Sequence, residues 1–228
     1  MLLLRTVFAL LAVCCSYLCY SQDLYKLPAH TNVQNVTWWD SIYRFPSFEP
    51  GRITLATRYS PDEEVRFNYN LYYMQMDYIA SNGDTLQIKP SREIKLITIG
   101  AHQFYHHYRI GYLEILLQKS ISLGVLNFLN TEDTRIESGN KVLSYDKVDA
   151  RGGPSNYDRY YRKFAKYYFL DLQNEPYKAS KHAILKLFNN HRKPIKAYIA
   201  QHNVAFNNKQ NLIMLLNFCN QLVEVSRP

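Results

Sequence analysis

Cysteine is nearly missing where it would matter. The 228-residue chain has 4, and Cys14, Cys15 and Cys19 all fall within the first 21 residues. Those 21 residues read as a secretory signal: Arg5 supplies the charged start, Val7 to Tyr20 is apolar apart from Ser16, and Cys19-Tyr20-Ser21 places small residues before Gln22. Cleavage there leaves Cys219 alone, so the expected mature protein enters an oxidising compartment with no internal disulfide and relies on its core. Cys219 lies at helical spacing among Leu215, Leu216 and Leu222, which reads as a buried, inert thiol. Lipid anchoring at Cys14, from Leu11-Ala12-Val13-Cys14, ranks behind cleavage, because Val13 stands where a small residue is expected.

Glycine and proline are also scarce, at 8 and 9, while 47% of residues are hydrophobic. Collagen-like, low-complexity and disordered chains are excluded on that balance. After the signal no apolar run is long enough to span a bilayer; the greasiest, Leu212 to Cys219, is broken by Asn217. Several chemical signatures are missing too. There is no Gly-x-Ser-x-Gly elbow, no Walker or dinucleotide glycine pattern and no EF-hand loop, so no cofactor is expected.

What is abundant is alternation, tyrosine and positive charge. Ile53, Leu55, Thr57 and Tyr59, then Val65, Phe67, Tyr69 and Leu71, then Met74, Met76 and Tyr78, alternate with polar neighbours, as strands with one buried face do. Asn82-Gly83 supplies a tight hairpin before Leu86 and Ile88. Lys95 to Ile99, Gln103 to Tyr108, Tyr112 to Gln118 and Ile121 to Phe128 follow as strands joined by short turns. Such spacing predicts an antiparallel meander, a sandwich or a small barrel. From Asn130 to Asn156 the pattern gives way to loop chemistry. Tyr157, Tyr160, Tyr161, Phe164 and Tyr168 would share a helical face with Ser155 and Asp158 as a capping box, whereas Lys166 to Leu172 reads as strand; residues 157–168 stay open between the two. Ser180, Pro194 and Asn207 or Asn208 mark the starts of three short helices. The expected fold is α+β: signal over 1–21, β-rich domain over 22–129, linker over 130–156, and a strand with a helical unit over 157–228.

Tyr43-Arg44-Phe45-Pro46, Val65-Arg66-Phe67-Asn68-Tyr69-Asn70 and Gly83-Asp84-Thr85-Leu86, with Lys186-Leu187-Phe188, Ile195-Lys196-Ala197-Tyr198-Ile199 and Phe206-Asn207 in the tail, give the mature chain a resemblance. It is similar to secreted or periplasmic proteins of the Bacteroidetes type, which join a β-rich body to a short helical ending. That resemblance implies an exported envelope protein and assigns no activity.

Two clusters are candidates for function. His102, His106 and His107, with Glu114 downstream, have the residue types of a metal site, and a metal-assisted hydrolase of an envelope polymer would use them. In a strand, however, residues four apart lie about 13 Å apart, too far to share one ion. His182, His191 and His202 are scattered over the tail. Asp77 and Glu114 as paired hydrolytic acids have no special claim, since strand carboxylates pointing outward are ordinarily solvated.

The second cluster is electrostatic. Between Arg151 and Lys196 stand eleven basic residues against three acids, in a chain whose net charge is +8. Arg159, Tyr160, Arg162, Lys163 and Lys166 interleave cations with an aromatic ring, a pattern that holds polyanions. The expected activity is therefore non-catalytic binding or scaffolding. The expected partners are an anionic glycan, lipopolysaccharide, lipid headgroups or another envelope protein, met in the periplasm or at the cell surface.

Overall fold

A computed structural model describes residues 24–55, 65–91, 93–132 and 158–225. The expected signal lies outside them, as does most of the expected linker. The described chain forms eleven strands in one antiparallel sheet: β1 (Tyr25–Leu27), β2 (Glu49–Leu55), β3 (Val65–Asn70), β4 (Gln75–Ile79), β5 (Thr85–Gln87), β6 (Ile94–Ile99), β7 (His102–His107), β8 (Gly111–Leu117), β9 (Ser122–Glu132), β10 (Arg159–Leu170) and β11 (Pro176–Lys178). Three α-helices follow among the described residues: α1 (Lys181–Leu187), α2 (Arg192–Gln201) and α3 (Lys209–Val225). The fold is α+β, as the alternation and caps predict.

The strand order is β1-β10-β9-β8-β7-β6-β2-β3-β4-β5, with β11 also on β10. The consecutive run β6 to β9 is a meander of short turns, and the sheet is neither a sandwich nor a closed barrel. It curls instead. Register shifts at Thr54/Leu55 and Ile115/Leu117 bend two of the pairings, as bulges do. The curl brings the turn after β3 back to β9, where the Leu129 N–H donates to the Leu71 carbonyl at 2.8 Å. Gly51 permits the close packing of β2: a Cβ there would meet the Thr98 carbonyl oxygen at 2.3 Å and the Phe67 ring at 2.7 Å.

Side-chain alternation then sorts the core. The concave face holds Leu27, Ile42, Phe67, Tyr69, Met76, Ile97, Ile99, Phe104, Tyr112, Leu129 and Tyr161 in one cluster. At the other end of β9 and β10, Leu123 and Phe169 meet Ala183, Ile184, Phe188, Ile195, Leu212, Leu215, Leu216 and Cys219, so the helices plug that end of the curl. On the convex face Leu113, Leu126, Phe128 and Leu170 make a third cluster. The caps read from sequence are present: the Ala183 N–H donates to Ser180 Oγ at 3.1 Å, and the Asn211 N–H to Asn208 Oδ1 at 3.0 Å. Cys219 is buried, and burial pushes its thiol up to about 12.

One open alternative closes. The 157–168 ambiguity resolves to strand from Arg159 onward, because β10 pairs along its whole described length with β9, from Tyr160 opposite Glu132 to Leu170 opposite Ser122. A helical face across Tyr160, Tyr161, Phe164 and Tyr168 therefore does not form. β9 runs through to Glu132, and β10 lies within the same sheet, between β9 and β1.

Candidate functional site

Two carboxylates are buried in the sheet, Glu114 on the concave face and Asp77 on the other face of β4 from Met76, against the expectation that both are solvated. Glu114 is 2% exposed and Asp77 is 3% exposed.

Glu114 sits between the two concave-face clusters, for on β8 Tyr112 joins the first and Leu116 the second. It is fully engaged. Arg44 donates from Nε to Oε2 at 2.9 Å and from an Nη to Oε1 at 3.2 Å, Asn127 donates to Oε2 at 3.0 Å, and His102 Nδ1 lies 2.7 Å from Oε1. Burial alone would raise the Glu114 pKa, but the Arg44 hydrogen bonds and charge, followed by His102, hold it below the ordinary carboxylate value. An ionised Glu114 requires Nδ1 to carry the ring proton of His102. Arg44 reaches this place because residues 42–45 extend along β3: the Arg44 N–H donates to the Tyr69 carbonyl and the Leu71 N–H to the Ile42 carbonyl. Buried Asn68 holds the adjoining bulge by accepting from the Phe45 N–H and donating to the Phe45 and Ser47 carbonyls.

Asp77 has neutral partners only. Tyr43 Oη donates to Oδ2 at 3.1 Å, Asn70 to Oδ2 at 3.2 Å and Gln75 to Oδ1 at 2.9 Å. Burial raises its pKa and these hydrogen bonds only partly restore it. Burial, with the Asp77 charge second, also pushes Tyr112 up to about 12.

The three histidines serve different neighbours. His102 joins Glu114 and packs its ring 5.0 Å from Phe45; His106 lies 4.7 Å from the Tyr112 ring, and burial lowers its pKa. His107, one residue on, faces the opposite way, is buried, and points Nε2 at Glu175 Oε2 from 3.8 Å. Among the described residues no three His, Cys, Asp or Glu side chains are grouped to hold an ion.

Strand geometry also divides the basic cluster. Arg159 and Lys163 take the concave side of β10 with Tyr161, whereas Tyr160, Arg162 and Lys166 take the convex side. Tyr161 is buried in the core, so much of the expected tyrosine surface is packing. The middle of the strand, Lys163 to Lys166, is exposed on both faces. There Lys163 Nζ stands 5.6 Å over Tyr25, Lys166 Nζ stands 4.8 Å over Phe128, and exposed Phe164 stacks on Phe128 at 5.8 Å. Neither lysine has a carboxylate partner among the described residues. The ribbon adjoins a groove of about 280 Å³ lined by Tyr72, Tyr73, Met74, Leu126, Phe128, Leu129, Asn130 and Lys166. The groove escapes a reading of the sequence, although one signal was present: the run Leu71-Tyr72-Tyr73-Met74 breaks the alternation of β3.

Comparisons with protein-family models, curated proteins and solved structures give no match to this chain. No helix among the described residues is long and apolar enough to cross a membrane.

Proposed function

We propose that the protein is an exported, non-catalytic binding module of the cell envelope whose β9–β10 ribbon contacts an anionic glycan such as the saccharide of lipopolysaccharide. The observation behind this reading is a contrast in pairing. Glu114, the best-placed acid, is engaged by three side chains inside the fold, whereas Lys163 and Lys166 stand exposed over aromatic rings with no acid partner among the described residues. Ammonium groups held on rings, flanked by exposed Phe164, offer charge to sulfate, phosphate or carboxylate groups and an apolar face to sugar rings. Exposed Lys181, Lys186, Arg192, Lys193 and Lys196 on α1 and α2 extend the positive field.

Retention on immobilised heparin, a sulfated glycan, tests the proposal. The protein is expected to bind at low salt and to elute as salt rises, because contacts between exposed charges are screened. Replacing Lys163 and Lys166 together by Glu is expected to move elution to clearly lower salt. Failure to bind at low salt would overturn the reading.

A further inference from the structure

The groove beside the ribbon has a chemistry of its own. One wall is the turn after β3, with Tyr72, Tyr73 and Met74; the other is β9, with Leu126, Phe128 and Leu129. The walls are fixed to one another by the hydrogen bond from the Leu129 N–H to the Leu71 carbonyl, so the groove is formed in advance. At its edge Lys166 brings a single ammonium that has no acid partner among the described residues, and Asn130 brings an amide.

Two further features gather at the same place. Met74 holds a left-handed φ of 54°, a conformation unfavourable for a non-glycine residue, and its side chain is 45% exposed at the mouth. Phe164, 40% exposed, stacks on the groove residue Phe128. Large apolar side chains held at a surface, one of them an adaptable methionine, are suited to contact with an apolar ligand.

We propose that this groove binds a free single-chain carboxylate of medium length, its hydrocarbon lying between the β3 turn and β9 and its carboxylate meeting Lys166 Nζ. An apolar trough with one cation at its rim is complementary to an amphiphile with one anionic end. The volume of about 280 Å³ lies just below the range of roughly 300 to 1,000 Å³ typical of drug-sized ligand pockets, and so suits one short chain and is too small for a two-chain lipid. The inference goes beyond the glycan reading and shares Lys166 with it, while Lys163 lies outside the groove and keeps the two tests distinguishable.

Calorimetric titration of the protein with decanoate, decanol and decyltrimethylammonium tests it. Decanoate is expected to bind saturably, with one site per chain; decanol is expected to bind about tenfold more weakly, and the cation not at all. Lys166→Met is expected to bring decanoate down to the level of decanol, and Met74→Glu to abolish binding of both. Both substitutions fall at exposed positions, so thermal melting should match the parent. Phe128→Ala, if it folds, should weaken decanoate and decanol alike. Lys163→Glu should leave decanoate binding intact while reducing heparin retention, which separates failure here from failure of the glycan reading. Absence of saturable decanoate binding, or binding indifferent to Lys166→Met and Met74→Glu, would overturn the proposal. So would a concentration-dependent dimer that dissolves in Met74→Glu without any decanoate binding.

Discussion

The buried interior and the β9–β10 ribbon treat charge in opposite ways. Inside, both buried carboxylates are tied to named partners: Glu114 to Arg44, His102 and Asn127, and Asp77 to Tyr43, Asn70 and Gln75. On the ribbon, Lys163 and Lys166 rest on aromatic rings and face water. An acid already satisfied by the fold has little left for a substrate, whereas an exposed cation on a rigid strand costs little to engage. Interior changes should therefore register as lost stability, and ribbon changes as lost binding.

The largest stability effect is expected where the curl leaves no room. Gly51→Ala forces a Cβ against the Thr98 carbonyl and the Phe67 ring and should cost about 3 kcal/mol in a denaturant melt. Next comes Glu114→Gln, which leaves Arg44 without its counter-charge. Breaking a buried pair costs roughly 3–5 kcal/mol, but Arg44 and His102 are partly open to solvent, so about 2 kcal/mol is expected. Asp77→Asn should cost under about 1 kcal/mol, because relief from burying a charge offsets the weakened hydrogen bonds. An Asp77→Asn loss as large as that of Glu114→Gln would break the contrast between the two acids.

The pH dependence sharpens the same contrast. Glu114 binds a proton less readily folded than unfolded, so its contribution is complete above the ordinary carboxylate value of 4.5 and is lost as pH falls through its lower folded value. Asp77 has the opposite sign: its raised folded value favours stability in acid, an advantage lost as pH rises through that value. Urea melts from about pH 6 to about pH 3 should therefore show an acid loss that flattens in Glu114→Gln and steepens in Asp77→Asn. The smallest stability effect belongs to the ribbon: replacing Lys163 and Lys166 by Glu should alter stability by no more than about 0.5 kcal/mol.

Much of the fold is legible in the sequence because the physics is local. Alternation in Val65, Phe67 and Tyr69, the Asn82-Gly83 turn and the Ser180 cap each depend on near neighbours, and the structure has all three. What escapes is long-range. Glu114 looks like an outward acid until Arg44, 70 residues earlier, is carried to it along β3. Tyr160, Tyr161, Phe164 and Tyr168 have a spacing that also fits a helix, yet β9 offers the segment a continuous ladder, and tertiary pairing decides between the two. The groove likewise exists only because the β3 turn returns to Leu129.

Salt-gradient elution from heparin, run side by side on the parent, Lys163→Glu/Lys166→Glu and folded Glu114→Gln, reads the division between interior and ribbon most directly. The account predicts early elution for the double lysine variant and parent-like elution for Glu114→Gln. Parent-like elution of the lysine variant, or loss of retention in the folded Glu114→Gln protein, would contradict it.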